Sequence, residues 1–110
     1  MKIKDIIEPL SLKIITGEEQ LNREINDGYV GDLLSVVMGK APENCVWITV
    51  QSHINIIAVA TLADVGCIIV SEGFSIDEDA VEKAKTEDVV LLSSKESSYS
   101  IAKKLGQMGL

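Results

Sequence analysis

Three short polar segments carry the residues best suited to binding chemistry. They are Gln51-Ser52-His53, Ser71-Glu72-Gly73 and Ser93-Ser94-Lys95, and each follows an apolar run that is typical of a strand. Loops at such positions can accept a phosphate or carboxylate, because the helix that follows leaves backbone N–H groups unpaired. We therefore predict a shallow ligand site formed by Gln51, Ser52, His53, Asn55, Ser71, Glu72, Gly73 and Ser93.

His53 is the only histidine in the chain. A helix N-terminus disfavours the charged imidazolium, so His53 would be a neutral ring that can both donate and accept a hydrogen bond. Three roles are open to it: contact with a ligand or an interface, a structural hydrogen bond, or general base to Ser52 with Glu72 as the orienting acid. The serines of these turns also have a purely structural alternative, because Ser52, Ser75 and Ser94 could each cap a helix.

The residues that usually bind metals or nucleotide phosphates are too few or wrongly spaced. Cys45 and Cys67 do not form a CxxC pair, and a single histidine leaves a zinc site without enough ligands. Gly39-Lys40 is followed by Ala41, which breaks the P-loop pattern. We expect no metal, no cofactor and no catalytic residue, and we expect both cysteines to be buried and reduced.

The polar segments need a framework of strands and helices to position them. Residues 46–50, 67–70 and 89–92 are short aliphatic runs, each followed by a polar turn and a helical segment. This rhythm predicts parallel strands joined by right-handed crossovers. The expected fold class is α/β, a three-layer α/β/α domain whose mainly parallel central sheet is built from successive βα units.

The remaining elements are predicted from local signals. The spacing of Ile3, Ile6, Ile7 and Leu10 predicts a short amphipathic helix that Pro9 ends near Glu8, and residues 12–16 are predicted as a strand. Asp27-Gly28 indicates a turn, and Asp32 is expected in the first turn of a second helix. Ser75 and Glu78 fit a capping box for the helix that follows the second polar segment.

The helix predicted over residues 54–65 is apolar around most of its circumference. Its polar positions are Asn55, Thr61 and Asp64, so it needs to be covered on more than one side. In a domain this small the second cover would be another subunit. We predict a homodimer whose interface contains Ile54, Ile57, Ala58, Thr61 and Leu62.

Composition limits the classes of partner and compartment. A chain of 110 residues fits one domain, 1–110, and 46% hydrophobic with 4% aromatic residues indicates an aliphatic core. Ten basic against seventeen acidic residues give a net charge of −7, which disfavours nucleic acid as a partner. No apolar run is long enough for a membrane span and the N-terminus lacks signal-peptide features, so we expect a cytoplasmic protein without membrane contact.

Three stretches, GYVGDLLSVVMG, VWITVQSHINIIAVATLADVGCIIVSEG and VVLLSS, together resemble the DRTGG domain family. The resemblance implies a fold similar to the N-terminal domain of HPr kinase/phosphorylase, and it implies a stand-alone regulatory or interaction module. By position, the Asp-Arg of the family falls on Ser52 and His53. Its Thr-Gly-Gly falls on Ser71, Glu72 and Gly73, of which only Gly73 is identical.

The function predicted from these observations is non-catalytic regulation. A homodimer would bind a small polar ligand, such as a nucleotide or another anion, or a regulatory protein partner. The first alternative is a dimerising scaffold without a ligand. The second is a small hydrolytic enzyme that uses Ser52, His53 and Glu72.

Overall fold

The structure is a computed structural model that describes residues 1–110. The helices are α1 (Lys4–Ile7), α2 (Leu34–Lys40), α3 (Asn55–Ala63), α4 (Glu78–Thr86) and α5 (Ser98–Gln107). The strands are β1 (Lys13–Thr16), β2 (Asp27–Val30), β3 (Cys45–Thr49), β4 (Cys67–Val70) and β5 (Leu91–Ser93), and a 3-10 turn covers Glu18–Gln20. None of the helices is both long enough and apolar enough to cross a lipid bilayer.

The five strands form one sheet in the order β1-β5-β4-β3-β2. Strands β2 to β5 are parallel, and β1 joins the far edge antiparallel to β5. Every residue of β3 and β4 is buried, which explains why these two strands are continuous apolar runs. The predicted α/β class with a mainly parallel sheet is confirmed.

Helices cover both faces of the sheet, so the domain has the three layers that were predicted. On one face, Ile3, Ile6 and Ile101 of the α1 and α5 region pack against side chains such as Val46 and Ile69. On the other face, α2, α3 and α4 bury a second cluster that contains Val37, Ile56, Ala84, Trp47 and Ile68. Alternate strand residues point to opposite faces, which is why neighbours such as Val46 and Trp47 belong to different clusters.

Three local predictions are wrong, because long-range pairing overrides the local signal. Asp27 and Gly28 do not turn; they pair with Cys45 and Val46 as the first half of β2. Asp32 precedes α2, and its Oδ1 accepts hydrogen bonds from the Thr49 hydroxyl and the Val50 amide, both at 2.9 Å. The Ser75 and Glu78 capping box does not form, because the residue before α4 is Asp77, which makes no side-chain cap bond.

Cys45 and Cys67 are unpaired and buried, as the sequence predicts. Burial in the core, together with the nearby Asp27 carboxylate, raises the pKa of the Cys45 thiol to about 11. Burial likewise raises the pKa of the Cys67 thiol to about 12. Both residues are therefore small, neutral core side chains at ordinary pH.

Candidate functional site

The carboxyl ends of β2, β3, β4 and β5 meet at one edge of the sheet, because these four strands are parallel. The start of β1 joins the same edge, since Lys13 lies opposite Ser93 in the antiparallel pair. The predicted ligand residues lie on the loops at this edge, at the last position of β5 (Ser93) or at the first position of α3 (Asn55). Some of their side chains are hydrogen-bonded within the protein and others are not.

At the end of β3, Gln51 is already engaged inside the protein. Its side-chain Nε2 donates to the backbone oxygen of Asp32 at 3.0 Å, and its backbone N–H donates to the Thr49 hydroxyl at 3.2 Å. Together with the Asp32 carboxylate, these bonds hold the β2 and β3 loops against each other. Gln51 is half-buried here and helps to position its neighbours.

Ser71, at the end of β4, lies below the surface with 0% of its area exposed. Its hydroxyl lies 2.7 Å from the Ser98 hydroxyl and donates to the Thr49 carbonyl oxygen at 3.4 Å. The prediction that Ser71 contacts a ligand is therefore wrong for this conformation, because the protein itself surrounds the hydroxyl. Its role is to join the end of β4 to the start of α5.

Glu72 points its carboxylate at the same helix start. Its Oε2 accepts a hydrogen bond from the Ser98 backbone N–H at 3.3 Å. A carboxylate at this position complements the partial positive charge of the N-terminus of α5. The Ser98 amide, which an external anion could otherwise use, is therefore already hydrogen-bonded to Glu72.

Ser52, His53 and Asn55 form the group that remains open. Ser52 and His53 are partly exposed and Asn55 is exposed, and none of their side chains makes a hydrogen bond within the protein. The Ser52 backbone oxygen accepts from the Asp77 N–H at 3.0 Å, which holds this loop against the start of α4. No hydrogen bond joins Ser52, His53 and Glu72, so the arrangement that a hydrolytic group requires is not present.

A groove of about 630 Å³ lies at the other end of the same edge, between the start of β1, the end of β5 and the loop that leads into α4. We call it the β1–β5 groove. Its lining is Leu10, Ser11, Lys13, Ile15, Gly73, Phe74, Ser75, Ile76, Val81, Ser93, Ser94, Lys95 and Glu96. Of the predicted ligand residues, Gly73 and Ser93 line this groove, while Ser52, His53 and Asn55 do not.

The carboxylate in the groove is held by a lysine outside it. Lys104 Nζ donates to both oxygens of Glu96, at 2.8 and 2.9 Å, and the Ser100 hydroxyl donates to Oε1 at 2.7 Å. These hydrogen bonds lower the pKa of Glu96 below its ordinary value. Glu96 is therefore ionised and already neutralised by its partner.

Sequence reasoning did not identify the lysine and aromatic residues of the β1–β5 groove. Lys13 and Phe74 have no local signal that separates them from other surface residues. They come together only because β1 pairs with β5, a contact between segments far apart in the chain. The sequence signals close to the groove were the polar segments that end at Gly73 and Lys95 and the predicted cap Ser75.

Comparison with known proteins identifies the family. The family model described as the DRTGG domain matches residues 5–108, which is nearly the whole chain. The chain belongs to the DRTGG family. No curated protein matches it.

One solved structure with the DRTGG fold comes from Clostridium perfringens. It contains the CBS and DRTGG domains of the regulatory region of a pyrophosphatase, complexed with an activator, diadenosine tetraphosphate. The match has a TM-score of 0.73 at 17% identity and covers 96% of this chain but 46% of that one. The present chain therefore spans about half the length of that structure, and the likeness shows the fold alone.

The backbone at the end of β4 suits glycine at two successive positions. Glu72 and Gly73, which we predict to correspond to the two glycines in the name of the DRTGG family, both have positive φ angles, 65° and 71°. Glycine adopts this left-handed conformation without steric cost, whereas a residue with a Cβ does not. Glu72 therefore keeps the backbone conformation of the turn but carries a carboxylate side chain where glycine has none.

In this DRTGG domain, α3 packs one side against the sheet and leaves the other open. Ile54, Ala58, Thr61 and Leu62 are exposed, and Leu62 retains 71% of its accessible area. Ile57 is 0% exposed and belongs to the core, so its predicted place in a dimer interface is wrong. The helix is covered by its own domain on that side, which the all-round apolar pattern did not reveal.

Proposed function

We propose that this DRTGG domain is a non-catalytic regulatory module that binds a small polar ligand at the carboxyl edge of its sheet and acts as a homodimer. The observation that carries the proposal is the state of the side chains at that edge. Ser52, His53 and Asn55 are accessible and have no hydrogen-bond partner in the protein, while the residues around them are held by internal bonds. A rigid surround with a few open polar groups is typical of a preformed ligand site.

Helix α3 provides a physical link between ligand and assembly. Of the open group, Asn55 is its first residue and His53 lies just before its N-cap residue, Ile54. Ile54 and the outward-facing Ala58, Thr61 and Leu62 are the proposed dimer residues. If α3 has two orientations and a ligand binds one of them more tightly, the ligand shifts the dimer toward the geometry with that orientation. The size of the shift is set by the difference in affinity. The ligand class supported by the loop amides is a nucleotide or another small anion.

The test of this proposal is a ligand screen on native protein and on His53→Ala. Thermal shift and calorimetry with nucleotides and small carboxylic acids should find a binder for the native protein, and His53→Ala should weaken it about tenfold, a loss of about 1.4 kcal/mol. Gln107→Ala, an exposed polar position on α5, is the matched control and should bind as the native protein does. No binder, or equal binding by His53→Ala, would remove these loops from the function.

The alternative is a dimerising scaffold that recognises a regulatory protein partner and no ligand. It is favoured by the internal bonding of Gln51, Ser71 and Glu72, three of the predicted ligand residues. Under this alternative, Leu62→Glu would abolish partner capture while His53→Ala would leave it unchanged. Leu62 is the appropriate position because it is exposed, whereas a charge at the buried Ile57 would unfold the domain.

A further inference from the structure

We propose that the β1–β5 groove is a second ligand site at the carboxyl edge and that it binds a small organic phosphate carrying an aromatic ring. This inference goes beyond the proposed function, because it adds a site that is separate from Ser52, His53 and Asn55. Its volume of about 630 Å³ lies within the range of about 300–1,000 Å³ that is usual for small-molecule sites. The groove is lined by Lys13, Lys95, Phe74 and the residues before β1, and none of these belongs to the group at Ser52 and His53.

The walls of the groove are fixed to each other before any ligand arrives. The Glu72 backbone N–H donates to the Glu96 oxygen at 2.8 Å, and the Gly73 N–H donates to the Ser94 oxygen at 2.9 Å. On the opposite side, β1 is paired with β5 through Lys13 and Ser93. Binding to such a site loses little conformational entropy, because the loops are already ordered.

The charge in the groove favours an anion. Lys13 and Lys95 line it, and neither forms an ion pair with any carboxylate of the protein. The one acidic residue of the lining, Glu96, is neutralised by Lys104 at 2.8 Å. Two unpaired lysines in a protein of net charge −7 make this groove a local positive site.

Hydroxyl groups surround the two lysines. Ser11, Ser75 and Ser93 line the groove, and their hydroxyls make no hydrogen bond within the protein. Two ammonium groups and several free O–H donors match a dianion with several acceptor oxygens, which describes a phosphate monoester better than a single carboxylate.

The apolar part of the lining accounts for the aromatic ring. Phe74, the only phenylalanine of the chain, keeps 54% of its area exposed at the groove wall, and Ile15, Ile76 and Val81 lie beside it. An aromatic ligand would cover Phe74 by offset or edge-to-face packing. An inorganic phosphate would satisfy the lysines but leave this apolar surface in water.

The experiment is a titration followed by 1H–15N NMR, with phenyl phosphate as the probe. Phenyl phosphate should shift the amides of the groove, from Gly73 to Ile76 and from Ser93 to Glu96, in a saturable way. Inorganic phosphate and benzyl alcohol each supply half of the recognition and should bind at least about tenfold more weakly. Benzoate carries one negative charge where phenyl phosphate carries nearly two, so benzoate should bind at least about threefold more weakly.

Matched variants test each half of the site. Lys95→Gln should weaken phenyl phosphate about tenfold, whereas Lys103→Gln makes the same charge change outside the groove and should have no effect. Phe74→Ala should weaken it similarly, whereas Tyr99→Ala removes an even more exposed aromatic ring from α5 and should have no effect. Equal loss in groove and control variants, or benzoate binding as tight as phenyl phosphate, would overturn the assignment.

The location of the shifts separates this inference from the proposed function. Saturable shifts confined to Ser52, His53 and Asn55 would overturn the groove but leave a ligand-binding module at the carboxyl edge. If phenyl phosphate caused no shift but the wider screen found another ligand, the groove assignment would be overturned and the proposed function would stand. The proposed function fails if that wider screen finds no ligand, or if His53→Ala binds the ligand as tightly as the native protein does.

Discussion

Glu72 is a residue at which backbone strain and electrostatics oppose each other. Its φ of 65° places an L-residue in the left-handed region, at a cost of about 1 kcal/mol. Its carboxylate accepts from the Ser98 N–H at the start of α5, which contributes about 0.3–1 kcal/mol in an exposed position. The two effects are of similar size, so the residue is tolerated where the family has glycine.

Two substitutions at Glu72 separate these effects. Glu72→Ala loses the carboxylate and keeps the strained backbone, so we expect a loss of about 0.5–1 kcal/mol in the free energy of unfolding. Glu72→Gly loses the same carboxylate but relieves the strain, so it should be more stable than Glu72→Ala by about 1 kcal/mol. Urea unfolding of both variants measures the difference, and an alanine variant as stable as the glycine variant would contradict the account.

Helix α3 is the element on which the proposed assembly depends. Its exposed Ile54, Ala58 and Leu62 recur at helical spacing on the side opposite the buried Ile56 and Ala60. The neighbouring helix α2 adds exposed Val36 and Met38 to the same layer of the domain. These exposed apolar side chains on two adjacent helices form the surface that we propose for the dimer.

We expect the native protein to sediment as a dimer at micromolar concentration and Leu62→Glu to sediment as a monomer. In a two-fold symmetric dimer the substitution acts twice, and each buried leucine contributes about 1.5–3 kcal/mol, so the dissociation constant should rise at least about a hundredfold. Tyr99→Glu is the matched control, because Tyr99 is 77% exposed and lies on α5, across the sheet. A native monomer, or a dimer that survives Leu62→Glu, would exclude this face.

At the scale of the whole molecule, the two buried thiols make stability depend on alkaline pH. Cys45 and Cys67 contribute to the clusters on opposite faces of the sheet. Their pKa values are raised from 9.0 to about 11 and about 12, because burial disfavours the thiolate. Above pH 9 the unfolded chain therefore binds fewer protons than the folded chain, and stability falls as pH rises.

The expected result is a decline that begins near pH 9 and continues to about pH 11, with each thiol contributing about 1.4 kcal/mol per pH unit in that window. Urea unfolding in the presence of a reductant at pH 8, 9 and 10 measures it. The Cys45→Ala/Cys67→Ala protein is less stable at pH 8 but should lose less stability between pH 8 and 10. Parallel declines in the two proteins would show that other groups, such as lysines, cause the effect.

The three layers and the parallel pairing of the central strands were predictable, because they depend on patterns that repeat along the chain. The aliphatic runs that became β3, β4 and β5 can be satisfied only between two layers of helices, and the polar segments between them had to lie at one edge. The helix caps were less predictable. Ser75 carries a capping pattern and caps nothing, while Ser97 caps α5 by accepting from the Ser100 N–H at 3.1 Å.

The sequence by itself determined the α/β class, the family, the aliphatic core and the edge of the sheet that carries the open polar groups. It did so because burial pattern and polarity are properties of short segments. Only the tertiary structure decided which of those groups are free, since Ser71 and Glu72 are engaged by α5 while Ser52, His53 and Asn55 are not. It also decided the existence of the β1–β5 groove, because the pairing of Lys13 with Ser93 joins segments that share no local signal.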